Sequence, residues 1–199
     1  RRPPRSTPLY SSAASDVYMR QDTGWAPKTL LMERISGKEV VNSNVIWDDT
    51  SSVVSETRVP ELDLTEVHPL DDRMKVNVLD PYSAVLRLLS QIENTGDCTS
   101  SYEIYDGRRR SRIYFEKIGK IVLEQDRPGV FAGSAMVCGV KFDPIDGHRI
   151  NSKWRSNKDQ NGRVKVFFAR PLESQVMPVR IEVKSWIGKI IGRLDLRQM

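Results

Sequence analysis

No apolar run in this 199-residue chain approaches the roughly 18 residues that a membrane-spanning helix needs, so no transmembrane segment is predicted. Histidine is scarce: His68 and His148 are the only two, and they fall in separate predicted loops. Cysteine is equally scarce, and Cys98 and Cys138 have neither the spacing of a zinc site nor that of a Cys-x-x-Cys redox pair. Asp143, Asp146 and His148 could offer ligands to a cation, but turn chemistry explains Asp-Pro and Asp-Gly more simply, and no metal is expected. There is no glycine-rich phosphate loop and no Gly-x-Ser-x-Gly nucleophile elbow. Aromatic residues make up 8% and are scattered, unlike the clusters of an RNA-binding sheet. No nucleic-acid partner, no cofactor and no catalytic constellation are therefore predicted, and the chain is read as a non-enzyme.

What is present suits a folded domain. Hydrophobic residues at 39% are enough for one well-buried core, and the length is short for two. The net charge of +5 is unevenly placed: Arg1, Arg2, Arg5 and Arg20 stand against Asp16 alone, so residues 1–21 carry +3 of it. That opening stretch has no apolar periodicity and reads as disordered. It also resembles a translated sequencing-adapter string, so residues 1–21 are expected to be non-native. The native segment is then a single β-rich domain over residues 22–199, truncated at its start and missing a signal peptide.

Strand patterns dominate. Residues 29–35, 40–47 and 52–59, divided by Ser36-Gly37-Lys38 and Asp48-Asp49, predict an antiparallel meander, with a loop over 60–73. One helix is predicted over 81–92: Asp80 suits the N-cap, Pro81 the first helical position, and Ala84, Val85, Leu88, Leu89 and Ile92 form one apolar stripe. Beyond it, 101–105 and 109–117 flank Asp106-Gly107, a dipeptide suited to a type I′ turn. Gly119-Lys120 offers another turn. Strands at 135–142, 163–169, 179–186 and 189–196 complete the pattern, with alternation clearest where Val179, Ile181 and Val183 interleave with charges.

Two features could carry function. Cys98 and Cys138 are either buried thiols of a reducing compartment or one disulfide, and an even count with none left over favours the disulfide. Such a bond would be structural and would imply the periplasm or the exterior. Arg108, Arg109, Arg110 and Arg112, with Arg149 further on, form the densest positive cluster. They read either as a solvated hairpin arm paired with Glu103 and Glu116, or as an anion-binding site for phosphate or anionic lipid. In the second case the chain is a basic module that binds polyanions.

Asp80-Pro81-Tyr82-Ser83-Ala84, Cys98, Tyr105-Asp106-Gly107-Arg108-Arg109, Gly133 to Cys138, Lys141 to Arg149 and Pro178 to Val183 occur in an order with a known counterpart. The chain resembles the bacterial family called domain of unknown function 3108, in its alphaproteobacterial form. The resemblance implies a periplasmic protein built as a curled antiparallel sheet, an open or broken β-barrel, with the helix covering part of its concave side. It further implies a cell-envelope role, in which an apolar ligand such as a lipid, or a lipoprotein or other envelope protein, is held in a trough. Val140, Phe142, Val166, Phe168 and Ile181 are the expected lining.

Overall fold

The structure is a computed structural model that describes residues 15–20 (backbone), 24–36, 39–68, 70–150, 163–173, 175–185 and 188–198. The fold is mainly β, with two open antiparallel sheets and one α-helix, as the sequence leads one to expect; its strands are distributed over two sheets. The first has the order β1-β2-β3-β4, formed by Ser15–Arg20, Gly24–Ser36, Glu39–Trp47 and Val53–Val59. The second has the order β10-β9-β8-β7-β6-β5. Its strands are β5 (Ser100–Tyr105), β6 (Arg110–Leu123), β7 (Gly133–Asp146), β8 (Val164–Ala169), β9 (Met177–Ser185) and β10 (Gly188–Arg193). The chain divides into two compact units, one of residues 1–84, 103–111 and 144–153, the other of residues 85–102, 112–143 and 154–199.

The predicted meander is the four-stranded sheet. Its buried face is set by β3, where Val41, Ser43, Val45 and Trp47 alternate with exposed or half-buried residues. Ser15–Arg20, within the stretch expected to be disordered, pairs as a strand along the open edge of β2, and Val17, Tyr18 and Met19 suit a strand. The remaining part of that expectation lies outside the described residues.

Helix α1 spans Pro81–Thr95, one turn further than predicted. Asp80, fully buried, caps it by accepting from the amides of Tyr82 (2.8 Å) and Ser83 (3.2 Å), and also from the Ser83 hydroxyl. Gly96, at φ +67°, donates its amide to the Ile92 carbonyl and closes the other end.

Two predicted turns differ. Gly119-Lys120 lies inside β6, which runs unbroken to Leu123. At Asp106-Gly107 only Gly107 takes a positive φ (+80°), and the Asp106 amide reaches the Arg109 carbonyl at 3.3 Å. The central pair is thus Gly107-Arg108, and a turn with positive φ at its first central residue replaces type I′.

In the second unit Cys98 and Cys138 form a disulfide, and both are fully buried. Leu123, Ala135, Val137, Phe167, Ala169 and Val179 make a core cluster on one face of the sheet. Cys138, Val166 and Ile181 lie opposite one another across β7, β8 and β9 and mark the other face, which Val140 and Phe168 share.

Candidate functional site

Within the first unit, strand register decides which side chains meet. Leu30 stands opposite Val45, Met32 opposite Ser43 and Arg34 opposite Val41; across the other edge of β3, Glu56 faces Val45 and Arg58 faces Ser43. Directly opposed residues share a face, so all of these lie on the buried side of the sheet. One end of that side is apolar, where Leu30, Val45 and Trp47 pack with Val78 and Tyr105. The other end carries Arg34, Ser43 and Arg58.

The Asp106–Arg109 turn rests on this face. A Cβ at Gly107 would meet Val45 Cγ2 at 3.0 Å, so the backbone approaches closer than most side chains would allow. Asp106 holds the turn together: Oδ1 accepts from the amides of Arg108 (3.2 Å) and Arg109 (2.8 Å), and Oδ2 pairs with the Arg109 guanidinium at 2.5 Å. Gly147 packs behind it so tightly that a Cβ there would lie 2.0 Å from the Arg108 carbonyl oxygen. The segment after Gly147 is tied to the 60–73 loop. The His68 amide donates to the His148 carbonyl (3.0 Å), and the Ile150 amide to the Glu66 carbonyl (2.9 Å). His148 Nε2 is buried with no hydrogen-bond partner among the described residues. Burial, and then the charge of Arg109, lower the His148 pKa and favour its neutral form.

Two cavities open here. One, of about 360 Å³, is lined by Arg34, Arg58, Arg108, Arg109 and Arg149, by Met32, Val41, Leu62 and Val67, and by carboxylates including Glu39, Glu66 and Asp106. The other, of about 530 Å³, is lined by Leu62, Leu64, Leu70 and Tyr105 with Glu56, Lys75 and His68. Arg58, Glu61, Leu62 and Arg108 line both.

Most cations around these cavities are matched. Arg34 pairs with Glu39 (3.6 Å), Arg149 with Glu66 (3.9 Å) and Lys75 with Glu56 (2.6 Å). Arg58 and Arg108 are different, for neither has an ion pair with a described residue. Both are half-buried. Arg58 donates from Nη1 to Ser43 Oγ at 3.3 Å, while its Nε is buried with no hydrogen-bond partner among the described residues. Burial lowers the pKa of each. The Arg34 charge adds to this at Arg58, and Arg109, Arg58 and Arg149 add to it at Arg108, while the Asp106 carboxylate opposes it at both and Glu39 opposes it at Arg58.

Of the arginines singled out from the sequence, the fold therefore brings Arg108, Arg109 and Arg149 together. Arg110 lines neither cavity: it pairs with Glu103 and donates to the Met74 carbonyl at 2.5 Å. Arg112 belongs to the second unit, where its Nη1 lies 3.5 Å from the Tyr114 hydroxyl. Arg58 and Arg34 had no local signal, because only the register of β2, β3 and β4 places them beside a turn that lies far along the chain from both.

The expected trough residues all lie in the second unit and line neither cavity. Val140 and Phe168 are buried, Phe142 and Val166 are half-buried, and Ile181 is 42% exposed. Among the described residues no group of three or more His, Cys, Asp or Glu could hold a metal ion. No helix there is long and apolar enough to cross a membrane.

The family described as protein of unknown function (DUF3108) matches residues 11–196, and the chain belongs to it. No curated protein and no solved structure matches the chain.

Proposed function

We propose that this chain is a non-enzymatic binding protein of the periplasm and cell envelope, and that it takes an anionic ligand between Arg58 and Arg108. The observation that carries the reading is the pair of half-buried guanidiniums on a wall common to two cavities, neither in a direct ion pair with a described carboxylate. A desolvated charge without a partner is costly, and an anion placed there relieves that cost while engaging the buried Arg58 Nε. Guanidinium donors in a fixed fork suit phosphate or carboxylate oxygens. Arginine also stays protonated throughout the physiological range, which fits holding a charge better than moving a proton.

The disulfide supports the compartment, since such bonds persist in oxidising environments. The family resemblance supports the envelope role. The earlier reading of a polyanion-binding arginine arm narrows here to two residues, one of them outside that arm. The lipid or lipoprotein trough over Val140, Phe142, Val166, Phe168 and Ile181 is the weaker reading, because two of the five are packed away.

Isothermal titration of the full chain with ethyl phosphate at low ionic strength tests the proposal. Saturable binding that is lost in Arg108→Gln supports it. Heat that is equal in wild type and variant contradicts it.

A further inference from the structure

The charge pattern around Arg58 and Arg108 also specifies what kind of molecule carries the anion. Two unmatched guanidiniums call for about two negative charges. A phosphate monoester carries roughly −1.5 to −2 at neutral pH, with oxygens enough for two forks. The smaller cavity is poorly suited to an aliphatic remainder, because its lining is dense in charge, with Glu33, Glu39, Asp63, Glu66 and Asp106 beside Arg34, Arg109 and Arg149. The larger cavity is better suited. Away from the shared wall, Lys75 holds Glu56 at 2.6 Å, and the buried Tyr105 donates its hydroxyl to the same carboxylate at 2.6 Å. Beyond these and the shared-wall Arg58 and Arg108, its lining is Leu62, Leu64 and Leu70 with Thr57, Glu61, His68 and Gly107, and Leu64 is 64% exposed. At about 530 Å³ the cavity falls within the roughly 300–1,000 Å³ of ordinary small-molecule sites.

We infer that the ligand is an anionic amphiphile, a phosphate monoester of an aliphatic chain, with its head between Arg58 and Arg108 and its chain along Leu62, Leu64 and Leu70. This rests on the anion-binding reading above and adds the tail. The head sits on the shared wall, and the chain leaves on the side where no unpaired cation and few free carboxylates would face it. The depressed guanidinium pKa values point the same way, since burial is their first cause and an anion at the wall opposes it. The common chemistry is the phosphate monoester, whether it comes from a lipid headgroup or from a small phosphorylated metabolite, and the tail is what separates the two sources.

The test is titration of the full chain with ethyl phosphate, butyl phosphate and octyl phosphate, each below its micelle concentration, with octyl glucoside as the neutral amphiphile. Each methylene that enters the apolar cavity should tighten binding by up to about four-fold, so octyl phosphate should exceed ethyl phosphate by at least ten-fold. Octyl glucoside should bind at least ten-fold more weakly than octyl phosphate. In Leu64→Gln, on the tail side only, the dependence on chain length should flatten, and the wild-type series stands even where that variant does not fold. Equal affinity for ethyl and octyl phosphate overturns the amphiphile and leaves the anion site standing. Equal affinity for octyl phosphate and octyl glucoside overturns the role of the head. No binding of any phosphate overturns both readings.

Discussion

Gly147→Ala is the sharpest probe of how the site is built. Gly147 sits at φ +75°, where an added Cβ costs roughly 1 kcal/mol from the backbone conformation alone. That Cβ would also lie 2.0 Å from the Arg108 carbonyl oxygen and 3.0 Å from the Arg109 Cα. Those atoms are backbone, so the Arg108 turn itself has to move, at the roughly 1–3 kcal/mol typical of overpacking. The expected total is about 2–4 kcal/mol, or roughly 5–15 °C in melting temperature for a chain of this size. Gly24 is the matched control. It lies in the same unit at φ +76°, with no atom of a described residue within 4 Å of its Cβ position. Gly24→Ala should therefore show the conformational cost alone, about 1 kcal/mol. Thermal and urea melts followed by circular dichroism measure both, and Gly147→Ala should also weaken ethyl phosphate binding. If the two variants agree within about 0.5 kcal/mol, the scatter of unremarkable substitutions, the close approach behind Arg108 is refuted.

Arginines of the site and of the scaffold should respond with opposite sign. Arg58→Met removes a half-buried charge without a described carboxylate partner, so stability should hold or rise by up to about 1 kcal/mol while ethyl phosphate binding disappears; a clear loss of stability contradicts this. Arg110→Met breaks the pairing with Glu103 and the bond to the Met74 carbonyl, and should cost about 1 kcal/mol with binding retained. Replacing Cys98 and Cys138 together with alanine opens a 40-residue separation and should cost about 4 kcal/mol by loop entropy, read from urea midpoints; a loss under about 1 kcal/mol would contradict a stapling role. His148 has a folded pKa below its ordinary 6.5, so the unfolded chain takes up the proton first. Its contribution is full above about pH 6.5 and is lost as pH falls towards the lowered folded value. His148→Gln should flatten that part of the stability profile, and an unchanged slope argues against a neutral buried imidazole.

The secondary structure was legible where local chemistry is strong. Asp80-Pro81 announces the helix because a cap and a first-turn proline act within a few residues. The alternation in β3 announces a half-buried strand for the same reason. The site was legible only in part. Tyr105-Asp106-Gly107-Arg108-Arg109 and Asp146-Gly147-His148-Arg149 stood out as charged, turn-rich strings, and they do meet, through Gly147 against the Arg108 carbonyl. What could not be read is which arginines lack a partner. Arg110 is matched by Glu103, seven residues earlier and across a hairpin, whereas Arg58 joins the site only through its register opposite Ser43. Charge density pointed to the arm, but carboxylates already neutralise much of it. Burial without a partner, a tertiary property, selects Arg58 and Arg108 instead.

The central claim is that these two guanidiniums, and not the rest of the arginine cluster, hold an anion. The most direct measurement is a titration of 15N-labelled full chain with ethyl phosphate, following the arginine Nε–Hε resonances one by one. The Arg58 and Arg108 signals should shift together, saturably and with one dissociation constant, while those of Arg109 and Arg110 stay on their carboxylates and move little. Shifts confined to Arg109, Arg110 or Arg149, or no saturable shift at Arg58 and Arg108, would contradict the account.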